Sequence, residues 1–276
     1  MQRFHKLFVV IALSGALALA CLPGGDEPID YLERPNAIII QLLNVSGQPQ
    51  PRIADRLTTP EFTLYGDGAL IFTQAGGAGG TQLLEAELPK EAIEDLLAFI
   101  VGEGFLNFAY EHPGESGATD ATPTFLYVNT KAGVNSTSAY GLGAGSLADS
   151  PEQLQSIAEI VQRLDELDPE ALGGRVVGPY EYGEIALLVQ PVEEPNIVGS
   201  PAVFPFPEID LAEIAPPGSG LVERRIESDL GTILGVVPPG STMPLLGPFQ
   251  QGDRFFFFGF RPILPFEENF PEFDFP

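Results

Sequence analysis

Few side chains in this 276-residue sequence are equipped for catalysis, and their types narrow the chemistry. There is one cysteine, Cys21, and beyond it one histidine, His112. Zinc centres assembled from several thiolate and imidazole ligands need more donors than that. A cysteine–histidine nucleophile pair has no second thiol to draw on past residue 21. A Ser-His-Asp arrangement would have to use His112, with Ser116 or Ser136 among the possible nucleophiles and Asp120 as the orienting acid. No G-x-S-x-G elbow is present, and His112-Pro113-Gly114 reads as a solvated loop. No catalytic residue is assigned.

Two glycine-rich stretches invite a nucleotide reading and fail it. Gly141-Leu-Gly143-Ala-Gly145 follows an expected strand, but the next helix start, Ser150, lies five residues beyond it. A dinucleotide fingerprint opens directly onto its helix. Ala75–Gly80 (AGGAGG) lacks the Gly-Lys-Ser/Thr ending of a phosphate loop. Both read as connectors, and no cofactor is assigned. A calcium loop of D-x-[DN]-x-[DN]-G spacing is missing, and no metal is assigned. Carboxylates are plentiful, so an Asp/Glu pair could do acid/base work. Asp67 and Asp120 stand in loops, where functional carboxylates are common. Asp67 lies between two glycines, which is also ordinary turn chemistry. Tryptophan is absent, which weakens a carbohydrate-binding reading.

The N-terminus decides where any such chemistry would take place. Arg3 and Lys6 precede an apolar run of 14 residues, Leu7–Ala20. A spanning helix needs about 20 apolar residues, so residues 1–20 read as an export signal. Leu17-Ala18-Leu19-Ala20-Cys21 resembles the lipobox of bacterial lipoproteins. In that family the cysteine thiol carries a diacylglyceryl group and becomes the mature N-terminus. Here Ala18 stands where leucine is preferred and Leu19 where a smaller residue is usual. Ala18-x-Ala20 would also suit the ordinary signal peptidase, which would leave a soluble secreted protein with a free cysteine. A lone cysteine without a disulfide partner is better explained by lipidation, so Cys21 is the expected lipid attachment site. Two or more acyl chains hold a protein stably to a membrane.

Removal of the signal takes two of the 13 basic residues and none of the 38 acidic ones, leaving a formal charge of −27. Such a field repels nucleic acid, whose binding depends on basic side chains, and also anionic headgroups. The expected partners are a membrane, through Cys21, and an unknown protein or envelope ligand.

Residues 21–35, rich in Pro, Gly and acids, read as a flexible acidic tether. Within 36–168 the pattern alternates hairpins and helices. Ala37–Val45 reads as a strand, and Phe62–Tyr65 with Ala69–Phe72 as a hairpin about Gly66-Asp67-Gly68. Gln82–Leu88 reads as a further strand. Ile93, Leu96, Leu97, Ile100 and Val101 mark an amphipathic helix behind Pro89. A second hairpin covers Thr124–Thr130 and Val134–Tyr140. A capping box at Ser150-Pro151-Glu152-Gln153 starts a helix striped by Leu154, Ile157, Val161 and Leu164. The expected fold is α+β: an antiparallel sheet with two amphipathic helices on one face, followed by a smaller Pro/Phe-rich β-rich unit at 169–265. Residues 169–276 hold 17 of the 27 prolines, and 204–276 hold 12 of the 20 phenylalanines. Ile185–Val192 and Phe255–Ile263 are that unit's strongest strands, the latter expected to be buried on both faces. Residues 266–276 form an acidic-aromatic tail.

The hairpin FTLYGDGALI (Phe62–Ile71), the Thr119-Asp120 loop, Ile185–Pro191 and Arg261–Pro265 resemble landmarks of a family of uncharacterised bacterial lipoproteins. The likeness spans most of the chain after the signal and implies that the Pro-rich half is folded. It brings no activity and no catalytic residue. The functional expectation is a membrane-tethered extracytoplasmic lipoprotein, a non-catalytic binding or envelope protein. The alternative is a carboxylate-dependent hydrolase of extracellular polymers.

Overall fold

A computed structural model describes residues 29–44, 58–75, 81–109, 111–112, 123–142, 151–193, 201–227 and 246–267. The export signal, Cys21 and tail residues 268–276 lie outside them. In chain order the elements are β1 (Ile38–Asn44), β2 (Phe62–Tyr65), β3 (Ala69–Ala75), β4 (Thr81–Glu87), α1 (Lys90–Gly102), β5 (Glu111–His112), β6 (Pro123–Thr130), β7 (Gly133–Tyr140), α2 (Glu152–Asp165), β8 (Arg175–Pro179), β9 (Glu184–Val192), β10 (Ala202–Val203), the single turn α3 (Leu211–Ile214), β11 (Val222–Glu227), β12 (Leu246–Gln251) and β13 (Arg254–Pro262). Strand outweighs helix, and the fold is α+β in the broad sense.

The strands form two sheets, ordered β5-β7-β6-β1-β2-β3-β4-β8 and β10-β12-β13-β9-β11. Every pairing is antiparallel except β5 with β7 and β10 with β12. Hairpin β2–β3 turns at Gly66–Gly68, with Gly68 at φ 93°, a conformation glycine adopts without strain. Pro89 and Pro151 stand at the N-terminal caps of α1 and α2, one position before the first helical residue of each. Ser150 of the expected capping box lies outside the described residues.

Alternation along the strands sends Ile40, Leu42, Leu64, Leu70, Ala86, Leu126 and Val128 into one core. Ile93, Leu96, Leu97 and Ile100 of α1, and Leu154, Ile157, Ile160 and Leu164 of α2, belong to the same core. The smaller sheet is held by phenylalanine. Phe256, Phe258 and Phe260 of β13 are fully buried at alternate positions, with Phe204, Phe206 and Ile209 over them. The ring of Phe204 meets those of Phe206, Phe249 and Phe258 edge-on at 5.4, 5.6 and 5.0 Å. Burial of β13 on its other face is partial: Phe255 and Phe257 are half-buried, and Phe257 packs on a small cluster of Ala186, Leu188 and Ile263.

Two boundaries differ from the sequence reading. The expected second unit begins at 169, yet β8 is the edge strand of the larger sheet, with Ala86 opposite Val176 and Glu87 opposite Arg175. Residues 29–35 fall in the expected flexible tether, yet Tyr31 is 3% exposed and belongs to the main core. The two sheets meet where Ile38, Tyr65, Ile71 and Leu83 pack on Tyr180 and Leu264. Tyr65 Oη donates to the Pro265 carbonyl at 2.9 Å, and Tyr180 Oη to that of Ile263 at 3.3 Å.

Candidate functional site

Of the residues proposed for chemistry, Cys21, Ser116 and Asp120 lie outside the described residues. Asp67 is committed to its turn: its Oδ1 accepts from the Ala69 N–H at 3.1 Å. Of the expected loop His112-Pro113-Gly114, His112 itself ends a two-residue strand, with its backbone opposite Ala139, and Pro113 and Gly114 lie outside the described residues. Ser136 stands on β7, three positions before Ala139.

Two acids that the sequence reading missed, Glu61 and Asp165, have raised carboxyls. Glu61, just before β2, and Asp165, the last residue of α2, are close enough for the Asp165 charge to act on the Glu61 carboxyl. Burial raises the Glu61 pKa, and the Asp165 charge acts in the same direction. A hydrogen bond from Asn44 Nδ2 to Glu61 Oε2 at 2.6 Å opposes the rise. Thr124 Oγ1 donates to Asn44 Oδ1 at 2.6 Å, which fixes the amide's orientation. Asp165 is raised by burial and then by its neighbour Glu166. A carboxyl with a raised pKa can hold a proton at mild pH. The sequence carries one faint signal for the pair: two acids end a helix, where its dipole disfavours them. Among the described residues no three His, Cys, Asp or Glu side chains cluster as metal ligands.

Two open clefts lie on the smaller sheet. One, of about 390 Å³, is lined by Pro191, Glu193, Ser219, Asp253, Arg254 and Phe255 among others. The other, of about 420 Å³, lies at the junction of the sheets, lined by Tyr180, Glu184, Arg225, Leu264, Pro265 and Phe266 among others. Its carboxylates each face a guanidinium: Glu267 pairs with Arg261, and Glu184 lies 3.8 Å from Arg225. Phe266 has φ 60° and is 44% exposed, edge-on to the Tyr65 ring at 6.3 Å. A bulky residue in the left-handed region is strained, and such strain persists where surrounding contacts over-determine it. Here the Tyr65–Pro265 and Leu264–Glu267 hydrogen bonds bracket it.

Residues 29–36 form a strap across the end of the larger sheet where β1 begins and the β2–β3 and β6–β7 hairpins turn. Ile29 packs on the main core. The Asp30 carbonyl accepts from Lys131 N at 2.8 Å, and Ala37 accepts from Gly66 N at 2.8 Å. Ion pairs Lys131–Asp30 at 3.5 Å and Lys90–Glu33 at 2.5 Å flank buried Tyr31. Burial pushes the Tyr31 phenol pKa up. Comparison with models of known families, with curated proteins and with solved structures gave no match.

Proposed function

We propose that this chain is a membrane-tethered extracytoplasmic lipoprotein whose folded body binds an envelope component or a protein partner without catalysing a reaction. The observation that carries the reading is the solitary Cys21, placed directly after the 14-residue apolar run with small residues before it. In this reading α1 and α2 together cover one face of the larger sheet, and the Pro/Phe-rich sheet follows as a smaller unit. The strained, half-open Phe266 beside the 420 Å³ cleft is the natural contact for a partner. Asp67 is spent in a turn, and the acids of that cleft are matched by arginines, which supports binding over catalysis. The test is fractionation of Cys21→Ala. The ordinary peptidase can still cut after Ala20, so the protein should move from the membrane fraction to the soluble one. Wild-type protein should yield an N-terminal peptide heavier than its sequence by a diacylglyceryl group. An unmodified Cys21 peptide from membrane-associated material overturns the reading.

The second reading, a carboxylate-dependent hydrolase, has one observation in its favour, the raised carboxyls of Glu61 and Asp165. Perturbed carboxyls gather at active sites, though structural pairs produce them too. Glu61→Gln that folds normally and abolishes a measured hydrolysis would favour this reading.

A further inference from the structure

We propose that the lipid anchor presents one defined end of the larger sheet to the bilayer: the end formed by the strap, the Gly66–Gly68 turn, Lys90 and the Lys131–Ala132 turn. The proposal rests on Cys21 bearing lipid and goes beyond it, because a freely jointed tether would leave the body without orientation.

The strap shortens the tether. From Cys21 to Ile29 there are eight residue steps, which span at most about 29 Å when fully extended. A folded chain of this size is about 45 Å across. An anchor chain that leaves the body at one end of the sheet therefore cannot reach round to let the other end face the membrane. The exit point is defined by contacts to three separate elements: the Asp30 carbonyl on Lys131 N–H, Glu33 on Lys90, and Leu32 and Arg34 against the backbone of Gly66.

Among the described residues, the strap end also holds most of the larger sheet's ion pairs. The chain has a formal charge of −25 and only three lysines, Lys6 in the export signal and then Lys90 and Lys131. Both of the latter sit at this end, exposed by half or more. Together with Arg175 they match Asp30, Glu33 and Glu87 in ion pairs. Asp67 and Glu91 are further acids of the same rim. These ion pairs offset part of the acidic charge at this end, and the orientation itself is carried by the short tether and the seated strap. The opposite end, where Asn44, Glu61, Pro123, Thr124 and Tyr140 lie at strand ends, then faces away from the membrane.

The test uses full-length lipidated protein in vesicles containing a headgroup spin-labelled lipid. Once Cys21 is thioether-linked, an introduced cysteine is the sole thiol. A maleimide fluorophore goes on Ala132→Cys at the strap end, or on Gln74→Cys, which is exposed near the far end of β3. The label at 132 should be quenched several-fold more than the label at 74. Releasing the strap with Gly66→Ala, or with Tyr31→Ser should that variant not fold, should shrink the difference while vesicle binding persists. Equal quenching at both positions, or stronger quenching at 74, in vesicle-bound protein overturns the orientation alone. Protein that stays off vesicles and takes up label on Cys21 itself overturns the lipid reading, and the orientation with it.

Discussion

Replacing Gly66 by alanine would put a methyl group where the strap's backbone already lies. A Cβ at this position would be 1.8 Å from the Leu32 carbonyl oxygen, 2.7 Å from Arg34 N and 2.8 Å from Arg34 O. All three are backbone atoms, so no rotamer change relieves the contact. Gly66 is absent from the residues at positive φ, so alanine fits its conformation and only the space forbids it. The cheapest relief is for the strap to lift. That exposes Tyr31, whose burial contributes roughly 1.5–3 kcal/mol. It also breaks the Lys131–Asp30 and Gly66–Ala37 backbone hydrogen bonds, at about 1 kcal/mol each. The ion pairs add little, because both partners are more than half exposed. The expected loss is about 3–5 kcal/mol, which lowers the melting temperature by roughly 10 °C in a chain of this size. Far-ultraviolet circular dichroism is the suitable probe, since the chain has no tryptophan. Limited proteolysis reports the strap directly, through new cleavage after Tyr31 or Glu33. Gly133→Ala is the control: it lies at the same end, has nothing within 4 Å of the added methyl, and should behave as wild type. A Gly66→Ala protein with unchanged melting and unchanged protease resistance would refute the seating of the strap.

Phe258→Ala should cost about 3–5 kcal/mol, because it empties the centre of the ring cluster of Phe204, Phe206 and Phe260; a urea midpoint within error of wild type would show that this core is not packed. Burial pushes the phenols of Tyr65 and Tyr180 up, whereas an unfolded tyrosine ionises near pH 10. Their contribution is therefore complete below about pH 10 and lost as the pH rises further, so unfolding free energy should fall steeply at alkaline pH, and less so in the Tyr65→Phe, Tyr180→Phe double variant. Glu61 is raised by burial, so its contribution is present in acid and lost as the pH rises through its folded-state pKa. Glu61→Gln should then raise the melting temperature at neutral pH and flatten its acid-to-neutral decline; a lower melting temperature across the whole range would contradict this.

The hairpins β2–β3 and β6–β7 were legible in the sequence because alternation and turn glycines are properties of neighbouring residues. The apolar stripes of α1 and α2 were legible for the same reason, as was the strand character of β9 and β13. Three features were settled only by tertiary contacts. Strand β8 reads as the start of the Pro-rich half, yet it pairs with β4, because an edge strand takes its partner from the open ladder beside it and not from its own composition. Tyr31 sits among prolines and acids that average to a tether, and a single buried ring is invisible to any average. Glu61 and Asp165 are more than a hundred residues apart, and only the tertiary fold lets the Asp165 charge act on the Glu61 carboxyl. Cys21 is the reverse case: the proposal that it carries lipid rests wholly on a contiguous signal of apolar and small residues, a pattern that linear order alone carries. The fold adds what linear order could not, the place where the N-terminal segment joins the body, because the backbone contacts of Asp30, Leu32 and Arg34 are to residues distant in sequence.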